Sequence, residues 1–316
     1  MATILIHPTN GRIGRADVLD RFPDADVVEP DTTGAFEEVL GSLSDRCVLV
    51  TNNDSWEERY LDGLAAGDWV ATTATGVDVF PMDRFEASGV ALTHMPTIYA
   101  EPVSTHAFAT AFAVARRLGD YRDLQADGEW DKRKAGVTDF AGDACCVVGL
   151  GRIGEAVARR AAAFGMTVRG VKRDVSGYDG AADEVYASGD LAAAMEGARL
   201  AVLVVPLTDE TEGLVGADAL AALEEDAIVV NVARGPVLDT DALVAALDRD
   251  GLRAACLDVF DEEPLPDDSP LWARDDVLVT PHVAGWSDKL PGRALDVFCE
   301  QYDAWTSGEE RPHRIV

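Results

Sequence analysis

Three side chains in the last third of the chain are of the types that move protons and hold anions. Arg234 lies in Asn231-Val232-Ala233-Arg234-Gly235, Glu263 in Glu263-Pro264-Leu265-Pro266, and His282 in Thr280-Pro281-His282-Val283-Ala284-Gly285. An imidazole titrates near neutral pH, so a histidine can deliver and recover a proton. A carboxylate on its other ring nitrogen favours the protonated form and fixes the ring. A guanidinium offers a planar fork that matches the two oxygens of a carboxylate. Singly, each residue has an ordinary structural use: a surface cation, a helix-start acid, a turn histidine. Together they stand at, or just beyond, the ends of apolar strand-like runs, the edge where open α/β sheets bind ligands.

A glycine-rich turn comes earlier. Gly149-Leu150-Gly151-Arg152-Ile153-Gly154 follows the apolar run Ala144–Val148 and opens a helical pattern running from about Ile153 to Phe164. In that setting the spacing predicts a dinucleotide pyrophosphate on a helix N-terminus. Gly149 serves the tight turn, Gly151 the approach of the phosphates, and Gly154 the contact of helix with strand. The next apolar run, Thr167–Val171, is followed by Lys172-Arg173-Asp174. An acid at that strand end would accept from a ribose 2′-hydroxyl, whereas a base suits a 2′-phosphate. Taking Lys172 as the strand-end residue, with Arg173, favours NADP(H) while leaving NAD(H) possible. The competing reading takes Asp174, 20 residues past Gly154, as the ribose acid.

The elements that must position these residues are legible in outline. Residues 3–6, 47–51 and 69–73 are short apolar, β-branched runs, and helical spacing lies between them over Thr33–Leu43 and Ser55–Ala66. Ala100–Leu118 reads as one long helix. Strands are expected at Ala144–Val148, Thr167–Val171, Leu200–Val205, Ala227–Val232, Ala254–Val259 and Val277–Thr280, with a helix over Asp239–Asp248. Alternation of this kind implies parallel sheets covered on both faces. The expectation is an α/β protein of two Rossmann-like domains. Residues 99–287 form a central dinucleotide-binding domain, residues 1–98 and 288–316 together form a discontinuous substrate domain, and the active site lies in the cleft between the two.

Composition narrows the partners. The 316 residues hold 27 Lys and Arg against 57 Asp and Glu, a formal net charge of −30. Nucleic acid and anionic membranes call for a basic face, so neither is expected as a partner. With 47% hydrophobic residues the chain can bury full cores, so acidity here does not mean disorder. Lysine is reduced to Lys132, Lys134, Lys172 and Lys289. An acidic, lysine-poor surface fits work in molar salt, where the Debye length falls to about 3 Å and like charges repel weakly. Cys47, Cys145, Cys146, Cys256 and Cys299 show no CxxC or Cys/His metal spacing, which reads as buried, reduced thiols. The start MATILIHPTN has neither a basic n-region nor a long apolar stretch, and the longest apolar run, Leu200–Thr208, is far short of the roughly 20 residues of a membrane helix. The expected location is the cytoplasm of a salt-accumulating organism.

From about Ala74 to Gly285 the sequence resembles the D-isomer-specific 2-hydroxyacid dehydrogenase family. The resemblance rests on Gly76-Val77-Asp78, the GxGxxG turn, the Asn231–Gly235 run, Leu257-Asp258-Val259-Phe260-Asp261-Glu262-Glu263-Pro264-Leu265, and Thr280–Gly285. Within the family it is more similar to glyoxylate/hydroxypyruvate reductases and general 2-ketoacid reductases. The resemblance implies reversible NAD(P)H-dependent reduction of a 2-ketoacid to a D-2-hydroxyacid. It makes His282 the general acid, Glu263 its partner, and Arg234 the carboxylate clamp. It gives the backbone at Gly76 and Val77 to the substrate; Trp286, large and just after Gly285, and Tyr99 and Asn53 are expected as pocket residues from their positions. Asp258 would contact the nicotinamide carboxamide. Arg152, Ile153, Val205, Pro206, Thr211, Val232, Ala233 and Ala284 would line the cofactor. The family often carries Glu-His in the helix after the first domain. Here that pair is Thr105-His106, and His106 is assigned no role. Members are usually dimers through the nucleotide domain, which implies a homodimer involving Ala100–Leu118 and the region of Trp130. A non-catalytic, nucleotide-sensing protein of the corepressor type remains the alternative from another class.

Overall fold

The computed structural model describes residues 2–132 and 136–316. The chain divides into two compact units, Met1–Tyr99 with Ser287–Val316, and Ala100–Trp286.

In the first unit the chain runs β1 (Thr3–Ile6), α1 (Arg15–Arg21), β2 (Asp26–Val28), α2 (Thr33–Ser42), β3 (Cys47–Thr51), β4 (Trp69–Thr72), α3 (Met82–Ser88) and β5 (Ala91–Thr93). The five strands are parallel in the order β2-β1-β3-β4-β5. Alternation along the strands sorts side chains to two faces. Ile4, Ile6, Val48, Val50 and Trp69 pack with Ala294, Phe298, Tyr302 and Trp305 of the C-terminal helix Leu290–Thr306, while Leu5, Leu49, Val70 and Leu92 pack with Phe36, Tyr60 and Phe85. The chain leaves β1 toward β2 on one side and resumes at β3 on the other, so the sheet's switch point lies between β1 and β3. The helix expected over Ser55–Ala66 is only a 3-10 turn at Glu58–Gly63. Trp56 instead plugs this span, with its ring 4.9 Å from Phe80 and 5.6 Å from Phe85.

In the second unit follow α4 (Ala100–Ala115), α5 (Leu118–Asp127), β6 (Ala144–Val148), α6 (Arg152–Ala163), β7 (Thr167–Lys172), β8 (Glu184–Ala187), α7 (Leu191–Met195), β9 (Leu200–Leu203), α8 (Ala217–Ala222), β10 (Ile228–Asn231), α9 (Thr240–Leu247), β11 (Ala254–Leu257) and β12 (Val277–Val279). The order β12-β11-β10-β9-β6-β7-β8 is that of a doubly wound sheet, with its switch point between β6 and β9. One face carries Ala107, Phe108 and Ala111 of α4 with Val157, Ala158 and Ala161 of α6, and the other carries the buried sides of α7, α8 and α9. The helix expected over Ala100–Leu118 is one helix that ends at Ala115, and a second begins at Leu118. Arg117 adopts φ 55° between them and is bonded through Nε to Asp120, so a left-handed arginine makes the break two residues before Gly119. The five cysteines are free and buried, and burial pushes the Cys47 thiol up to about 12. Among the described residues, no helix is long and apolar enough to cross a membrane.

Candidate active site

The glycine turn sits at the switch point of the second sheet, where β6 ends beside β9. Gly149 has φ +108°, and a Cβ there would stand 2.8 Å from Val205 Cγ1 and 2.9 Å from Val204 O. Its N–H and that of Leu150 both donate to Val171 O, at 2.9 and 3.2 Å. A Cβ on Gly154 would lie 1.8 Å from Gly149 O, so the first turn of α6 closes on the loop only because this residue has no side chain. Gly151 is the N-cap of α6. No side chain caps the helix, and the space beside Gly151 is open for 4 Å. A helix N-terminus left uncapped beside an open cradle is what a pyrophosphate requires, so the turn fits a dinucleotide. Arg152 beside it is exposed, Ile153 half-buried.

β7 ends at Lys172, whose ammonium lies 5.4 Å from the centre of the Tyr178 ring. Asp174 is turned back on its own loop. Its Oδ1 accepts from Ser176 N at 2.9 Å and Ser176 Oγ at 2.6 Å, and these bonds, with Lys172 nearby, hold its carboxyl below the usual range. Arg173 is exposed, 3.3 Å from Glu210, and lines an open groove with Thr208, Asp209 and Glu210. Thr211 spends its hydroxyl on that loop, accepting from Thr208 N at 2.8 Å and donating to Pro206 O at 2.6 Å. Val205 and Val232 are half-buried and Pro206 exposed just past the strand ends, and Ala233 and Ala284 are buried.

The proton-handling pair is close. His282 Nδ1 lies 2.6 Å from Glu263 Oε2, while Glu263 Oε1 accepts from Phe260 N at 3.0 Å. The pair is open to solvent, with His282 side-chain exposure 49% and Glu263 36%. With Nδ1–H given to Glu263, Nε2 is the nitrogen left to face a ligand. His282 has φ 52°, and its N–H donates to Asp258 O at 2.8 Å. Asp258, buried at the end of β11, organises the segment around it. Its Oδ1 accepts from Thr280 Oγ1 at 2.6 Å and Val283 N at 3.0 Å, and its Oδ2 from Ala284 N at 2.8 Å. Arg234 follows β10, on a turn tied by Asn231, whose Nδ2 donates to Arg234 O at 3.1 Å and whose Oδ1 accepts from Ala233 N at 3.0 Å. The Arg234 Nη1 donates to Ala233 O at 2.8 Å. Sequence reasoning missed His106. From α4 its Nε2 sits 3.0 Å from Thr280 Oγ1 and 3.6 Å from Asp258 Oδ1, behind the segment that carries His282.

On the first unit, Asn53, Gly76 and Tyr99 are grouped at the carboxyl edge of its sheet. Asn53 Nδ2 donates to Gly76 O at 3.1 Å, and Tyr99 OH to Thr73 O at 2.9 Å. Val77 is half-buried one residue on. Burial pushes the Tyr99 phenol up, while Arg12 acts to lower it and Asp54 to raise it. Trp286, the last residue of the second unit, is 75% exposed.

Residues 108–284 match the family model "D-isomer specific 2-hydroxyacid dehydrogenase, NAD binding domain". The chain is 33% identical over 240 residues to a glyoxylate/hydroxypyruvate reductase B from Escherichia coli, covering 74% of each chain. It is 30% identical over 294 residues to a D-3-phosphoglycerate dehydrogenase from Methanocaldococcus jannaschii, which is 93% of this chain but only 56% of that protein's length. Among solved structures it is similar to an NADPH-dependent glyoxylate/hydroxypyruvate reductase from Sinorhizobium meliloti in complex with NADP and malonate, at 26% identity and TM-score 0.77, covering 100% of this chain and 97% of that one.

Proposed function

The chain belongs to the D-isomer-specific 2-hydroxyacid dehydrogenase family, and from that premise we propose that it reduces a 2-ketoacid to the D-2-hydroxyacid with a nicotinamide dinucleotide. The observation that carries the reading is the His282–Glu263 contact of 2.6 Å at the carboxyl edge of a dinucleotide-type sheet. The reduced nicotinamide, when bound, supplies hydride to the carbonyl carbon. His282 Nε2 gives its proton to the carbonyl oxygen as negative charge develops there, and Glu263 holds the imidazolium and its tautomer. Arg234 pairs with the substrate carboxylate and draws charge from the adjoining carbonyl. The backbone at Gly76 and Val77 is assigned to the same carboxylate, with Asn53, Tyr99 and Trp286 as pocket residues. Asp258, through Val283 and Ala284, keeps the segment bearing His282 in place, and one lone pair of Oδ2 remains for the nicotinamide amide.

We assign NADP(H) as the preferred cofactor. Lys172 at the end of β7 and the exposed Arg173 are cations where a 2′-phosphate would lie, and the Sinorhizobium relative is NADPH-dependent. Replacing both by Glu should raise KM for NADPH far more than for NADH; equal rises would refute the assignment. A homodimer is proposed on the family's habit and on Trp130, an indole 92% exposed beyond α5. Light scattering of the purified protein checks it.

The decisive experiment is a panel of 2-ketoacids with NADH and NADPH in molar KCl, run on wild type and His282→Ala. Wild type should turn over at least one ketoacid. His282→Ala should lose on the order of 10²- to 10⁴-fold in kcat while NADPH still binds, as read by its fluorescence. Cofactor binding without turnover of any ketoacid would give the protein to the nucleotide-sensing class instead.

A further inference from the structure

The loop that leaves β1 carries a cation that the reading above does not use. Arg12 is half-buried, its Nη1 donates to Thr73 Oγ1 at 3.1 Å, and its guanidinium lies 5.7 Å from the centre of the Tyr99 ring. Thr73 in turn donates to Asn10 Oδ1 at 3.1 Å and accepts from Tyr99 OH through its carbonyl at 2.9 Å. Arg12 is therefore oriented by a ring face and a hydroxyl, and it makes no ion pair among the described residues. In a chain with 57 acids against 27 bases, a half-buried guanidinium oriented by neutral groups keeps N–H donors in reserve for an anion from outside. Its place supports this. The β1 loop bearing Arg12 and the β3 loop bearing Asn53 flank the switch point of the first sheet, where α/β folds take ligands. Asn53 Oδ1 is buried there with no hydrogen-bond partner among the described residues, a second polar atom awaiting one.

We propose that Arg12 is a specificity residue that receives an anionic group on the far end of the substrate, so that the preferred 2-ketoacid carries a second carboxylate or a phosphate. This rests on the ketoacid-reductase reading. The Gly76–Val77 backbone takes the carboxylate next to the keto carbon, and Arg12, oriented over Tyr99 on the same sheet edge, takes the tail.

The test is a matched panel, with oxaloacetate and 2-oxoglutarate as the carboxylate arm, 3-phosphohydroxypyruvate as the phosphate arm, and pyruvate and 2-oxobutyrate as uncharged-tail controls. The expected result is a higher kcat/KM for one charged arm, and that arm identifies the tail. Arg12→Gln should raise KM for the preferred substrate on the order of 10- to 100-fold, leave kcat/KM for pyruvate unchanged, and be partly rescued in Arg12→Lys. A readout without turnover is the Tm rise given by D-malate over D-lactate for the carboxylate arm, which should vanish in Arg12→Gln. Equal kcat/KM across charged and uncharged tails, or an equal loss on all substrates in Arg12→Gln, would overturn the role of Arg12 and leave the reductase standing. No turnover of any ketoacid would overturn both.

Discussion

At the residue scale, the groups to which chemistry is assigned are visible by type and place, and the groups that hold them are not. Glu263 and His282 are 19 positions apart and meet at 2.6 Å because each follows a parallel strand to the same sheet edge. His106 has no such mark, since a lone histidine in an alanine-rich helix looks like any other. Its meaning lies in Thr280 and Asp258, far away in sequence. Losing it should loosen the Thr280 hydroxyl that Asp258 holds. His106→Ala should lower kcat/KM by up to about tenfold, the size of one hydrogen bond. Thr280→Val should cost a similar amount, and the double variant should cost less than the two together, since both act through one network. Strict additivity would separate His106 from this segment. His7, at the other sheet, gives a pH signature. It is buried against Phe36 and bonded through Nδ1 to Thr9, and burial depresses its pKa below the ordinary 6.5, against the pull of Glu57 and Glu37. The unfolded chain therefore binds the proton more readily. Stability should be full above about pH 6.5 and fall as pH drops below it, until the folded histidine titrates too. His7→Asn should flatten that limb in denaturant melts taken from pH 7.5 to 5. A limb unchanged by the substitution would mean that other groups set it.

At the element scale, legibility followed the length of the apolar run more than burial: β5 is buried but has three residues and was missed, whereas the half-buried edge strand β12 was expected. The central strands β1, β3, β4, β6, β9, β10 and β11 are apolar runs because both faces are covered. The three that composition did not reveal, β2, β5 and β8, are all sheet edges of three or four residues. β8 is exposed or half-buried throughout, so no apolar run marks it. The helix expected over Ala100–Leu118 overran by three residues because the turn is made by Arg117, a left-handed arginine bonded to Asp120, ahead of Gly119. The glycine turn was legible because sterics leave one residue type possible. Gly154→Ala places a methyl 1.8 Å from Gly149 O, and that atom is backbone, so the loop itself must move. The expected cost is at least about 2 kcal/mol in a urea melt, with NADPH affinity falling alongside. Gly151→Ala meets open space and should keep stability while weakening cofactor binding. If Gly154→Ala melted and bound like wild type, the close contact of α6 with the loop would not be what the glycine is for.

At the scale of the whole molecule, the net charge of −30 sets a condition that no single contact shows. The ion pairs lie largely at the surface, such as Arg84 with Glu58 and Asp62 or Arg59 with Glu37 and Glu57, and exposed pairs contribute little to stability. They cannot offset the repulsion among the acids left over. That repulsion reaches about 30 Å at 0.01 M salt and about 3 Å at 1 M, so the folded state is opposed strongly in dilute buffer and weakly in molar salt. We propose that the protein works in concentrated salt, and the expected result is a Tm that climbs by more than ~10 °C between 0.01 and 2 M KCl. Excluded solutes also favour burial, so sucrose is the control: it should raise Tm without replacing the salt. Catalysis should show the same sign. In the proposed reading a ketoacid and NADPH are anions approaching an anionic protein, with Arg234, Lys172, Arg173 and Arg12 assigned to hold them. Screening removes more long-range repulsion than it removes short-range attraction, and KM for both should fall as KCl rises from 0.01 M. A Tm independent of KCl, or a rise that sucrose reproduces in full, would separate the acidity from salt, and a KM that rises with KCl would mean that local cations already outweigh the −30 at the site.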